Sequence, residues 1–103
     1  MMFRLMRDKG GLGLAAPQVG IDARMFITHW GEIFVNPVIW SGDCMIDSRE
    51  GCLSLPGVIR VKRRFNKITL IDSNRVESKV YEGEQAIVIQ HECDHLKGTL
   101  ITD

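Results

Sequence analysis

The feature that most constrains this chain is the run "EQAIVIQHECDHLK", residues 84–97, fourteen residues without glycine or proline that begin after Gly83 and stop at Gly98. In a chain of 103 residues this is the segment long enough for a principal helix. A helix sets residues four apart on one face, about 6 Å along the axis. His91 and His95 then share a face, with Ile87 and Val88 one turn earlier, so both imidazoles are directed toward the core. A chain this short makes one domain, residues 1–103, with a core drawn from few elements.

The rest of the chain reads mainly as strand. Met2, Phe3, Leu5 and Met6 predict a short helix over residues 1–9 that Gly10 and Gly11 end. "RMFITHW" and "IFVNPVI" flank Gly31 as a hairpin, and Pro37 confines the second run to an edge or a strand end. "VIRVKRR" and "KITLID" read as two further strands, and "SNR" as a turn. The expected fold class is α+β, with antiparallel strands packed around one central helix that carries the histidine pair.

Thirteen basic residues balance thirteen acidic ones, and the one basic run, Lys62, Arg63 and Arg64, is expected on a solvated strand or turn. Nothing in this balance points to nucleic acid. Three cysteines cannot complete a disulfide framework, which favours a reducing compartment. The N-terminus lacks a secretory pattern, and no apolar run approaches the roughly 20 residues of a membrane span. The expectation is a soluble intracellular protein.

His91-Glu92-x-x-His95 on a helix has a mechanism attached to it: two imidazoles hold a metal while the glutamate relays protons. Two ordinary core histidines are the competing explanation for such a pair, but Glu92 directly after His91 favours the metal. A catalytic site of this kind needs a third protein ligand and an open position. Glu77, Glu82, Glu84, His29, Cys44, Cys52 and Cys93 are the candidates. Cys93 lies about 100° to 200° around the helix from the histidines and reads as a small core residue. Cys44 stands alone in a polar loop, and His29 beside Trp30 reads as structural or exposed. Cys52, in "EGCLSLPG", is the best third ligand available.

"GLGLAAPQVG", residues 11–20, imitates a dinucleotide fingerprint, but a helix precedes it and Pro17 interrupts any helix on its C-terminal side. The alternative is a backbone that a peptide-like substrate approaches closely, with Gln18 as a donor to a developing oxyanion.

Taken together, "GLGLAAPQ", "EGCLS" and "QHECDHLKG" resemble the three motifs of the peptide deformylases, in that family's order and spacing. The resemblance implies hydrolysis of the N-formyl group from the formyl-Met of newly made polypeptides. It implies Cys52, His91 and His95 as metal ligands and Glu92 as general acid and base. Gln18 and the backbone N–H of Leu53 would form the oxyanion hole. The backbone at Leu12, Gly13 and Gly51 would grip the peptide, while Leu12, Val88 and the aliphatic stem of Glu50 would wall the methionine slot. The implied metal is Fe(II), with zinc, nickel or cobalt as substitutes. Implied partners are formyl-Met nascent chains and a transient ribosome contact, in a bacterial-type or virus-infected bacterial cytoplasm or an organelle matrix. Family members usually begin earlier and finish in a long C-terminal helix, so this form is close to minimal. A metalloprotease is the first competing reading, yet its usual downstream ligand is lacking in the eight residues after His95. A closed structural metal site is the second, and it would require neither Glu92 nor Gln18.

Overall fold

The structure, a computed structural model, describes residues 2–52 and 55–98, apart from the side chains of Cys52 and Pro56. Two antiparallel sheets and two helices make up the described residues. Helix α1 (Met2–Asp8) leads into strands β1 (Gly13–Ala15), β2 (Met25–Thr28) and β3 (Ile33–Val35), which pair in that order. Strands β4 (Val38–Cys52), β5 (Leu55–Ile71) and β6 (Lys79–Glu82) form the second sheet, and α2 (Glu84–Leu96) packs against β1, β2, β5 and β6. The expected α+β class is observed.

Period-two alternation divides the first sheet between two cores. Ala15, Phe26 and Phe34 are register partners on the face toward α2, where they join Ile68, Leu70, Ala86, Ile89 and Cys93. Leu14 and Ile27 pair on the opposite face and pack with Met6 of α1. A strand buried on both faces must be apolar without interruption, as Phe26 and Ile27 are. Phe26 and Phe34 stack at 4.7 Å between ring centroids, adding to the roughly 1.5–3 kcal/mol that full burial of each such side chain contributes.

Three sequence expectations are corrected. "VIRVKRR" and "KITLID" are one strand, β5, because Ile68 and Leu70 extend inward the parity that begins with Arg64. The basic run is therefore not uniformly solvated: Arg63 faces out to Asp47, whereas Arg64 is 5% exposed. Cys44 lies within β4, at a positive φ of 57°, and not in a polar loop. Pro37 does end a strand, since β3 stops at Val35 and β4 starts at Val38 in the other sheet. The outer face of the second sheet leaves Val38, Trp40, Ile71 and Val80 exposed.

The turn "SNR" is tied to the edge strand β3. Val35 N donates to Asp72 Oδ2 at 3.0 Å, and Asn74 Nδ2 donates to the carbonyl of Ile33 at 3.0 Å. These bonds occupy groups that an edge strand otherwise leaves open to pairing with other chains. Glu32 closes the hairpin end of this unit. It accepts from Trp30 Nε1 at 2.5 Å, from Tyr81 Oη at 2.9 Å, and from Arg75.

Burial alone would raise the Glu32 carboxyl, but the bonds from Trp30, Tyr81 and Arg75 outweigh it and hold the group below its ordinary 4.5. A carboxylate lowered in the folded state adds stability above its unfolded value, and that contribution disappears as pH falls through the folded value. Glu32→Gln should therefore lower unfolding free energy by about 1 kcal/mol at pH 7. The difference from the unmodified chain should shrink as pH drops below about 4. Urea unfolding across that range checks it, and a gap that stays constant with pH would refute it.

Candidate metal centre and substrate cavity

Helix α2 places His91 and His95 on one buried face, at 9% and 6% exposure. Their Nε2 atoms lie 3.2 Å apart, with the ring planes inclined at 60°. Two nitrogens each about 2.0–2.1 Å from one tetrahedral ion would be roughly 3.3–3.4 Å apart, so this pair fits a shared metal. Burial, then the neighbouring His91, lowers His95 to about 4 and keeps it neutral at pH 7, the form that ligates.

His91 is set from its other side. Its Nδ1 lies 2.8 Å from Glu50 Oε1, and a carboxylate can only accept, so the ring proton belongs on Nδ1. Nε2 is then left as the lone pair facing His95. Glu50 in turn accepts from Arg64 Nε at 2.8 Å and from Nη2 at 2.6 Å. Burial opposes ionisation of Glu50, but the Arg64 bonds, then the His91 bond, hold it at about 2.

Glu92 contrasts with Glu50. It is 4% exposed, and its Oε1 has no hydrogen-bond partner among the described residues. Burial pushes it to about 7, with His91 drawing it down only in part. A bound dication would lower that value. Two carboxylates with environments this different suit two roles, one fixed as an anion and one able to exchange a proton near neutrality.

Glu50, His91 and Glu92 open on a cavity of about 690 Å³. The glycine-rich segment contributes Leu12, Gly13 and Gln18, β4 contributes Glu50 and Gly51, and α2 contributes Val88, His91 and Glu92. Gln18 sits in the 3-10 turn Ala16–Val19, where its Oε1 accepts from Ala15 N at 2.9 Å. With its oxygen used as an acceptor, the donor Gln18 carries is the Nε2 amide. Gly13 is there for lack of a side chain: a Cβ would meet Glu92 Cγ and Oε2 at 2.9 Å.

The other candidate ligands lie elsewhere. Cys93 is in the core, and burial pushes its thiol to about 12, far from a thiolate. His29 is exposed and bonds Glu84 at 2.9 Å, Glu77 is exposed, and Glu82 pairs with Lys67. Among the described residues no three His, Cys, Asp or Glu side chains converge as a metal set. The expected third ligand, the Cys52 side chain, and the expected oxyanion donor, Leu53, lie outside the described residues.

The family model described as polypeptide deformylase matches residues 1–103. The chain belongs to the polypeptide deformylase family. It is 42% identical to a peptide deformylase of Treponema pallidum, covering 99% of this chain and 67% of that protein. A peptide deformylase of Symbiobacterium thermophilum is 38% identical, and there the chain spans about half of the relative, 51%. Among solved structures, the peptide deformylase of Thermotoga maritima superposes with a TM-score of 0.91 at 37% identity, covering 99% of this chain and 74% of that one.

In this deformylase-family chain, sequence reasoning missed Arg64 and the polar role of Glu50, of which only the aliphatic stem was expected to matter. The strand parity that Arg64 shares with Ile68 and Leu70 is the signal that marks it as inward-facing.

Gly13→Ala should force the buried Glu92 side chain aside. Overpacking of this kind costs about 1–3 kcal/mol. Denaturant unfolding of the metal-free protein measures the loss. Unchanged stability would mean that Glu92 has room the structure does not give it.

Proposed function

We propose that this chain is a single-domain, metal-dependent hydrolase that removes the N-formyl group from the formyl-Met terminus of newly synthesised polypeptides and releases formate. One observation carries the reading: two buried imidazole nitrogens 3.2 Å apart adjoin a buried glutamate whose Oε1 lacks a partner among the described residues, at the wall of a peptide-sized cavity. Family membership supports the same chemistry.

His91 Nε2, His95 Nε2 and the Cys52 thiolate would hold the metal, Fe(II) by preference, with zinc, nickel or cobalt as substitutes. A bound divalent cation supplies a strong nucleophile at neutral pH and polarises the formyl oxygen. Glu92 Oε1 takes the proton from the attacking water as its oxygen bonds to the formyl carbon. The carbonyl electron pair moves onto oxygen, where Gln18 Nε2 and the Leu53 N–H donate to it. The oxyanion pair re-forms the carbonyl as the carbon–nitrogen bond breaks, Glu92 returns its proton to the departing amine, and formic acid leaves, giving its remaining acidic proton to water to become formate. Leu12, Gly13 and Gly51 offer backbone to the peptide, and Leu12, Val88 and the Glu50 stem wall the methionine slot. A transient ribosome contact and a bacterial-type cytoplasm or organelle matrix complete the reading, with no step that requires a membrane or nucleic acid.

Glu92→Gln should retain one equivalent of metal while formate release from a formyl-Met peptide falls about 10²- to 10⁴-fold. Cys52→Ala, His91→Ala and His95→Ala should each lose the metal itself. A fully active Glu92→Gln protein, or full metal content without Cys52, would sink these assignments.

Selectivity follows from the slot. Burying a methionine-sized side chain contributes roughly 1.5–3 kcal/mol, and 1.4 kcal/mol corresponds to about tenfold. Formyl-Met peptides should therefore exceed formyl-Gly peptides at least about tenfold in kcat/KM. Equal values for the two substrates would remove the slot from the mechanism.

A further inference from the structure

Arg64 is the buried cation of the site. Its Nε and Nη2 form a fork on Glu50, at 2.8 and 2.6 Å, while Nη1 donates to Asp94 Oδ2 at 2.6 Å. Glu50 Oε1 thus accepts both Arg64 Nη2 and His91 Nδ1. Glu50 stands on β4 two residues before Cys52, and Asp94 stands on α2 immediately before His95. One guanidinium on β5 therefore holds both ligand-bearing elements at once.

We infer that Arg64 is a positioning residue for the metal centre, holding Glu50 so that His91 keeps its ring proton on Nδ1 and presents Nε2, an inference that rests on the metal-site reading above. A carboxylate held at two points by a planar fork has a fixed orientation, and its outer lone pair aims along one line. Without the fork, Glu50 keeps only the side-chain bonds of Ser48 and His91, and its carboxylate can turn about the side-chain bonds. His91 Nδ1 then loses a fixed acceptor, and the alternative tautomer, with the proton on Nε2, gains population. A proton on Nε2 blocks the ligand position directly.

The test compares the unmodified chain with Arg64→Met, Arg64→Lys and Glu50→Gln. Two-bond proton–nitrogen correlation spectra of the metal-free protein, labelled with nitrogen-15 at histidine, report which nitrogen of His91 carries the proton. Zinc affinity is measured by competition with a chelator. The unmodified chain should show the Nδ1–H form. Arg64→Met should show a mixture containing Nε2–H and bind zinc about 10- to 100-fold more weakly, the range for lost outer partners of a ligating histidine. Arg64→Lys, which keeps the charge but not the fork, should lie between. In the Glu50→Gln background, Arg64→Met should add less than about threefold, because residues acting through one another are non-additive.

A folded Arg64→Met protein with pure Nδ1–H and zinc affinity within about threefold overturns the inference. Should that variant fail to fold, Arg64→Lys decides by the same readouts, and an unchanged His91 spectrum overturns it. General destabilisation would not move the proton between ring nitrogens. Failure of the unmodified chain to release formate would count against the hydrolase reading alone, since the spectra use neither metal nor substrate.

Discussion

A buried arginine is costly to desolvate, and the site is organised around meeting that cost. Removing one charge from water carries a penalty of several kcal/mol unless its donors are matched. Arg64 has Glu50 on one side and Asp94 on the other, so a strand, a helix and the strand between them converge on one guanidinium. The apolar core, with Ile68 and Ile89 among its members, supplies burial without direction. Direction comes from the charged contacts, which fix where β4 and α2 stand relative to each other and leave Glu92 buried with no such partner among the described residues.

The two carboxylates show how a small scaffold separates fixed charge from mobile charge. Glu50 and Glu92 come from different elements and both adjoin His91, yet one is held near 2 and the other near 7. The difference lies in supply of donors: Arg64 serves Glu50, and β1 offers Glu92 a glycine instead of a side chain. Leaving a carboxylate oxygen unsatisfied in the interior is unfavourable, and such sites are where proteins trade stability for chemistry.

Legibility in the sequence tracked the range of the interaction. The helix, its stop at Gly98 and the shared face of His91 and His95 depend on spacings of three and four, which the sequence displays directly. The hairpin about Gly31 and the core place of Cys93 were legible for the same reason. The inward Arg64 was not, because a run of three basic residues looks like a solvated patch until a distant Glu50 and Asp94 are known to face it. Likewise Cys44 gave no local sign of a strand, since its neighbours Asp43 and Met45 are held by the long β4–β5 register. The close approach of Gly13 to Glu92 spans 79 residues of chain, and the glycine alone suggested only a tight backbone.

The placement of the two tryptophans gives the chain a built-in optical readout. Trp30 donates to Glu32 within the network that closes the first sheet, whereas Trp40 stands 66% exposed on the outer face of the second. An indole in a hydrogen-bonded, partly buried setting and one in water differ in emission and in access to a soluble quencher. The quencher-resistant fraction of the fluorescence therefore reports on the β2–β3 hairpin, and the quenchable fraction on the open sheet face. One unlabelled sample separates loosening of the first sheet from changes at the surface of the second.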